Sequence, residues 1–327
     1  MVNLKSNSFF LVGDLHINFS NVVSRRDSYG ETVLRKLRWV FEHSLGKGCN
    51  VVLVSGDWFH TKKQTVSYLN KVVSLFAEFK KRGLYVYGIL GNHDYTSEIA
   101  VSVENHPIYM LFKSEMAFHL DVLNLLDEKE NVLISIQGKD YLDLNFSKSC
   151  LKDVLSCLVF HRYYEEDEHE PFPLTKEVVL KEGWDICFGG HAHQRYADVL
   201  FPNLQSFSGK SLIVRPGSLL RGTSHSEEVR KEVGVVFFDV SDPKNPKHEF
   251  VVVPHEKAED VFISQVFDKE NKQKNIKDRI KDKVEILVGM MENTSSSEKL
   301  DLNVYEKMPE EVKIHLREKL REKGIFG

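Results

Sequence analysis

The stretch LYVYGILGNHDY, residues 84–95, joins two signals. Its first seven residues are apolar, with β-branched and aromatic side chains, and suit a buried strand. That run meets Gly91 and then Asn92, His93 and Asp94, each able to bind a metal, a phosphate or a proton. A Gly-Asn turn is ordinary at a strand end; three such side chains in a row are not. The pattern recurs. LVGDLH (11–16) delivers Asp14 and His16, LVSGDWFH (53–60) delivers Asp57 and His60, and CFGGHAH (187–193) delivers His191 and His193. LVFHRYY (158–164) adds His161 and, beside it, Arg162.

Working outward, SFFLV (8–12), NVVLV (50–54) and LYVYGIL (84–90) are strand-like runs leading to a glycine. Between them Val33, Leu37, Val40 and Phe41, then Leu69, Val72, Phe76 and Phe79, recur at helical spacing. A β-α-β-α-β order implies parallel strands with crossover helices. From residue 131 the helical intervals thin, and NVLISIQG, SCLVFH, DICFGGH, SLIVRPG, GVVFFDV and HEFVVV are strands separated by loops. The expectation is an α/β chain of two stacked sheets with helices outside. Functional loops should gather at the carboxyl ends of the strands.

Composition sets wide limits. A chain of 327 residues with 42% hydrophobic content can hold one large domain and a smaller one. No run approaches the roughly 18 apolar residues that span a bilayer, so no membrane partner is expected. Cys49, Cys150, Cys157 and Cys187 lack CxxC spacing and sit in or beside apolar segments. They read as buried free thiols in a reducing cytoplasm, not as a thiolate metal site. A net charge of −4 does not announce a nucleic-acid binder, although two bound divalent cations would cancel it locally.

Carboxylate, imidazole and carboxamide ligands without thiolate suit Mn, Fe or Zn better than Ca or Mg. The groups suffice for two ions, with Asp57, on the middle of the first three strands, as the natural bridge. Two metals about 3.5–4 Å apart clamp a phosphate and activate a water for in-line attack on phosphorus. Protonating the leaving alkoxide needs a positioned acid. His93 beside Asp94 fits that task, with Asp94 as the orienting carboxylate.

With these residues in hand, the chain resembles the calcineurin-like metallophosphoesterase superfamily over roughly residues 8–253. The motif order D-x-H, G-D, G-N-H-D, H, G-H-x-H is complete. The resemblance implies a four-layer α/β/β/α sandwich with a two-metal site. It assigns Asp14, His16, Asp57 and His193 to one metal and Asp57, Asn92, His161 and His191 to the other. His93 becomes the acid or transition-state stabiliser.

The GDWFH motif, with His60 three residues after Asp57, and the P-G-S turn at 216–218 look like the SbcD-type DNA-repair nucleases. Their equivalent of His60 lies near the phosphate. A compact, phage-type version fits the chain length. The resemblance implies a Mn2+-dependent exo/endonuclease acting on DNA and a homodimer formed through helices near 62–82 and 96–113. It also implies an SbcC-like coiled-coil ATPase partner held by C-terminal helices. Arg162, Lys62, Lys63, Arg25 and Arg26 lie beside the motifs and could meet phosphates. GDLHIN lacks the Leu-Gly that often follows the first His in this group, and the tail is shorter than the usual capping domain.

Composition shifts near residue 256, dividing a 1–255 nuclease domain from a 256–327 charged helical region. The latter has 15 Lys/Arg and 16 Asp/Glu among its 72 residues. Ile276, Ile280, Val284, Leu287 and Met291 form one helical stripe, and Val312, Leu316 and Leu320 another. These helices either dock on their own domain or hold a partner, and the resemblance favours the partner. Two other functions stay open: a phosphoesterase for small molecules or proteins, and a non-catalytic scaffold. The complete ligand set and His93 oppose the scaffold.

Overall fold

A computed structural model of the chain describes residues 1–20, 25–95, 103–164, 173–222, 230–262 and 313. The expected first three strands form, as β2 (Ser8–Val12), β3 (Val51–Val54) and β4 (Tyr85–Gly88), mutually parallel in the order β2-β3-β4. Strand β1 (Val2–Lys5) precedes them. The crossovers are α1 (Tyr29–Gly46) and α2 (Val66–Lys81). Thr65 caps α2 by accepting from the Tyr68 amide, which satisfies one donor of its open first turn.

Alternation along the strands sorts the core into layers. Phe10, Val12, Val52 and Val54 face the helices and pack with Val33, Leu37, Phe41, Phe76 and Phe79. Their neighbours Phe9, Leu11, Val51 and Leu53 face the second sheet. This is the period-two pattern of strands buried on both faces.

After α3 (Pro107–Lys113) come β5 (Phe118–His119), β6 (Val122–Leu126), β7 (Val132–Lys139), β8 (Leu155–Phe160), α4 (Lys176–Glu182) and β9 (Ile186–Gly189). Four strands complete the fold: β10 (Val199–Pro202), β11 (Lys210–Val214), β12 (Gly234–Asp239) and β13 (Lys247–Val252). Among the described residues one sheet has seven strands, β1-β6-β7-β8-β9-β11-β10, and the other six, β13-β12-β2-β3-β4-β5. Leu123, Ile134, Ile136, Val159 and Phe188 of the larger sheet meet the smaller sheet across the central layer. On its outer face Leu158, Phe160, Cys187 and Ile213 pack with Val179 of α4 and Trp184. The expected helix-sheet-sheet-helix layering is the observed one.

All four cysteines are buried free thiols, as their setting implied. Among the described residues no helix is long and apolar enough to cross a membrane. The proposed helical stripes at 276–291 and 312–320 lie outside the described residues, apart from Lys313 in a helix. Val261 and Phe262 lie against the body. Phe262 is 2% exposed and bridges Arg25, and the Arg26 amide donates to the Val261 carbonyl at 2.8 Å.

Candidate metal centre

Strands β2, β3, β4, β8 and β9 end on one side of the two sheets, and their following loops carry the seven expected ligands. The loops are zipped together by backbone. The Asp57 carbonyl accepts from the amides of Leu15 (3.1 Å) and His16 (2.8 Å), and the Trp58 carbonyl accepts from Ile17 (2.8 Å). His16, Asp57 and His191 all sit at positive φ (46°, 47° and 73°), a region that side chains with Cβ rarely adopt. Three such strained residues, all in the expected ligand set, mark a place where geometry is held against local preference. Gly91 is required by close approach, since a Cβ there would lie 2.2 Å from Asp57 Oδ1.

Asp14, His16, Asp57 and His193 each bring one ligand atom within 4.8 Å of the others. Asp57 Oδ1 accepts from the His93 amide at 2.8 Å. Its other oxygen, Oδ2, is buried and accepts no hydrogen bond. His16 Nε2 stands 3.6 Å from that oxygen and His161 Nε2 3.4 Å. Two ligands about 2.1 Å from a shared cation at a tetrahedral angle stand roughly 3.4 Å apart. An orphaned buried carboxylate oxygen between two imidazole nitrogens therefore fits a bridging ligand. On the His161 side, Asn92 Oδ1 lies 3.0 Å from His161 Nε2 and 2.8 Å from His191 Nδ1. On the other, His16 Nε2 and His193 Nε2 approach to 2.8 Å. The seven side chains come together as two sets sharing Asp57, and the residues fit a pair of divalent cations.

Outer contacts fix the rings. His161 Nδ1 lies 2.6 Å from the Ser55 carbonyl, which fixes a proton there and leaves Nε2 for coordination. His16 Nδ1 faces His60 Nδ1 at 3.4 Å, so His60 supports a ligand as well as lining the site. His60 and His93 stack with centroids 5.0 Å apart and planes at 23°.

Two expectations need correction. Asp94 does not orient the His93 ring. Its carboxylate is fully buried and accepts from the backbone amides of Gly91 (2.9 Å) and Trp58 (3.1 Å), latching the motif's own turn to the β3 loop. The His93 Nδ1 instead meets the His60 carbonyl at 3.0 Å. Arg162 is not placed for substrate: it is 3% exposed, donates to the Tyr141 carbonyl and lies 4.6 Å from that ring's centre. Arg25 is likewise committed, to Asp27 and the Arg221 carbonyl. Lys62 and Lys63 remain exposed beside the site.

Some supporting residues carried no motif. The Lys231 ammonium donates to the His193 carbonyl at 3.1 Å and to Ser218, whose own amide donates to that carbonyl at 3.0 Å. Only the P-G-S turn hinted at Ser218.

Residues 8–195, more than half of the chain, match the family model for calcineurin-like phosphoesterases. The chain belongs to that family. A crystal structure of a dimetal phosphatase from Danio rerio is similar over 76% of this chain and 99% of its own, at 9% identity and a TM-score of 0.44. Members of this family use divalent metals for phosphoester hydrolysis, and the carboxylates and imidazoles gathered around Asp57 could hold them.

Charge among these side chains is unevenly held. Burial works against ionised Asp57, but His161, His93 and His16 hold it well below the usual carboxylate range. Burial and the Asp57 charge raise Asp14 to about 6, against the pull of His161. His161 is opposed by burial, yet Asp57 and Asp14 push it up to about 9. A proton thus sits on His161 at neutral pH and must leave when Nε2 takes a cation. The His161 pair stabilises the metal-free fold fully below the ordinary imidazole value of 6.5, and that contribution is lost as pH rises through about 9. Metal affinity moves the opposite way, tightening up to about tenfold per pH unit over the same window. Calorimetry of Mn2+ binding in buffers of different ionisation enthalpy should show about one proton released at pH 7.5. No proton release would contradict a charged His161.

Proposed function

We propose that the chain is a Mn2+-dependent DNA exo- and endonuclease of repair or recombination, acting as a homodimer with an SbcC-like coiled-coil ATPase. The observation that carries this reading is the stacked pair His93–His60 beside the shared carboxylate, two imidazoles beyond the seven expected ligands. A sugar alkoxide leaves poorly without a proton, and a phosphodiester also presents a non-bridging oxygen to be held. His93 suits the first task and His60 the second.

The seven expected ligands around Asp57 would hold two cations, which would supply charge neutralisation at the phosphate and an acidified water for in-line attack. The chain's residues do the rest. A proton fixed on His93 Nδ1 by the His60 carbonyl presents Nε2 towards the leaving group. As the water oxygen bonds to phosphorus, the phosphorus–sugar oxygen bond breaks and His93, carrying a second proton on Nε2, gives that proton to the departing oxygen while Nδ1–H stays on the His60 carbonyl. The exposed Lys62 and Lys63 suit contact with phosphates flanking the scissile one. With a net charge of −4, the chain leaves much of the grip on DNA to its partner. Helices α2 and α3 are the proposed dimer elements, and the segments 274–292 and 309–323 of the 256–327 region the proposed contact with the ATPase.

The test is linear duplex DNA with Mn2+, with and without the ATPase. The proposal expects degradation, faster with the partner. Hydrolysis of bis-p-nitrophenyl phosphate with DNA left intact in both arms would instead assign a small-molecule phosphoesterase.

A further inference from the structure

The motif turn is gripped from the opposite sheet. Asp140 follows the end of β7 in the larger sheet, whereas the Asn92–Asp94 turn follows β4 in the smaller one. Asp140 Oδ1 accepts from the Leu90 amide at 2.8 Å, and Oδ2 accepts from the Tyr95 hydroxyl at 3.4 Å. The next amide, of Tyr141, donates to the Leu90 carbonyl at 2.8 Å. Both polar backbone groups of Leu90 and the side chain of Tyr95 are thus held by one dipeptide, on either side of the turn. His119 Nε2 completes the carboxylate's partners at 2.9 and 3.0 Å, so both flanks of the turn and a second segment meet on it. The Tyr141 ring continues towards the centre, with its centroid 5.8 Å from that of His191 and 6.1 Å from that of His161.

We propose that Asp140 is a positioning residue for Asn92 and His93, clamping the ends of their turn and so controlling occupancy of the second metal site. The proposal rests on reading the seven side chains as a two-cation site. Asp94 latches the turn from inside, through Gly91 and Trp58, but it touches neither flank. Without an acceptor, the Leu90 amide is left unpaired on a residue only 6% exposed. The turn then shifts to find a partner. Asn92 Oδ1, two residues on, moves with it away from His161 and His191. Asp14, His16 and His193 sit on loops that Asp140 does not touch, and Asp57 meets the turn through the His93 amide, so the first metal set is disturbed less than the second.

The experiment is Mn2+ titration of the full chain and of Asp140→Ala, followed by calorimetry, with bis-p-nitrophenyl phosphate turnover measured at saturating Mn2+. In Asp140→Ala one Mn2+ should bind at least tenfold less tightly and the other by a clearly smaller factor, and kcat should fall about tenfold with KM little altered. Asp140→Asn, which retains an acceptor for Leu90, should recover most of both. Equal loss at both sites with a lowered melting temperature, or no loss at either, overturns the proposal. Should Asp140→Ala fail to fold, amide exchange over residues 90–95 in Asp140→Asn and Tyr95→Phe decides. Faster exchange in Tyr95→Phe, with near-wild-type exchange in Asp140→Asn, supports the clamp, and wild-type exchange in Tyr95→Phe refutes it. A wild-type protein that binds two Mn2+ yet cleaves no diester would defeat the nuclease reading, while the titration would still test the clamp.

Discussion

Asp57→Asn should nearly abolish catalysis by weakening both cation sites together. Asp57 offers one oxygen to the His93 amide and the other, with no hydrogen bond, to the gap between His16 and His161. Asn keeps the shape and the bond to His93 but removes the charge that both cation sets share. Losing one member of a buried charge set costs about 3–5 kcal/mol, equivalent to roughly 10²–10⁴ in affinity or rate. The fall should appear in Mn2+ affinity at both sites, because the oxygen is common to them. A second consequence separates this from simple unfolding. Asp57 is the largest influence raising His161, so in Asp57→Asn the His161 pKa should fall and the proton release on metal binding should disappear. Retained activity, or loss at one site alone, would remove Asp57 from the bridging position.

His93→Asn should behave differently. His93 contributes its amide to Asp57 and its Nδ1 to the His60 carbonyl, and it lies outside the ligand set. Its replacement should leave Mn2+ affinity nearly unchanged and lower kcat by about 10²–10⁴, the usual contribution of a positioned proton donor. The deficit should shrink on a diester whose leaving group needs no proton, such as p-nitrophenolate, relative to DNA. An equal deficit on both substrates would make His93 a stabiliser of the phosphate and not the acid.

Local pattern explains how much of this was readable. Strands β2, β3 and β4 are apolar runs that meet a glycine, and their layers follow from alternation, so Phe9 and Phe10 separate onto opposite faces with no tertiary knowledge. The seven side chains were legible because each follows such a run. Strand β1, an exposed edge strand, carries no apolar run, and β6 lacks a glycine and a ligand at its end, so neither announced itself. The supporting residues were hidden for another reason. Asp140 reaches Leu90 across 50 positions and two sheets, and no periodicity encodes a contact between strand ends. Adjacency misled in the opposite direction. Asp94 follows His93 directly, but the Asn92–Asp94 turn places its carboxylate against backbone amides and not against the ring. Arg162 likewise follows His161, yet alternation at the strand end buries it against Tyr141.

The central claim is that one carboxylate joins two cation sites. Electron paramagnetic resonance of the metal-free chain titrated with Mn2+ tests it most directly. The account predicts two Mn2+ per chain with the exchange-coupled signal of a bridged pair, reduced to isolated Mn2+ in Asp57→Asn. One Mn2+ per chain, or two with no coupling in the wild type, would contradict it.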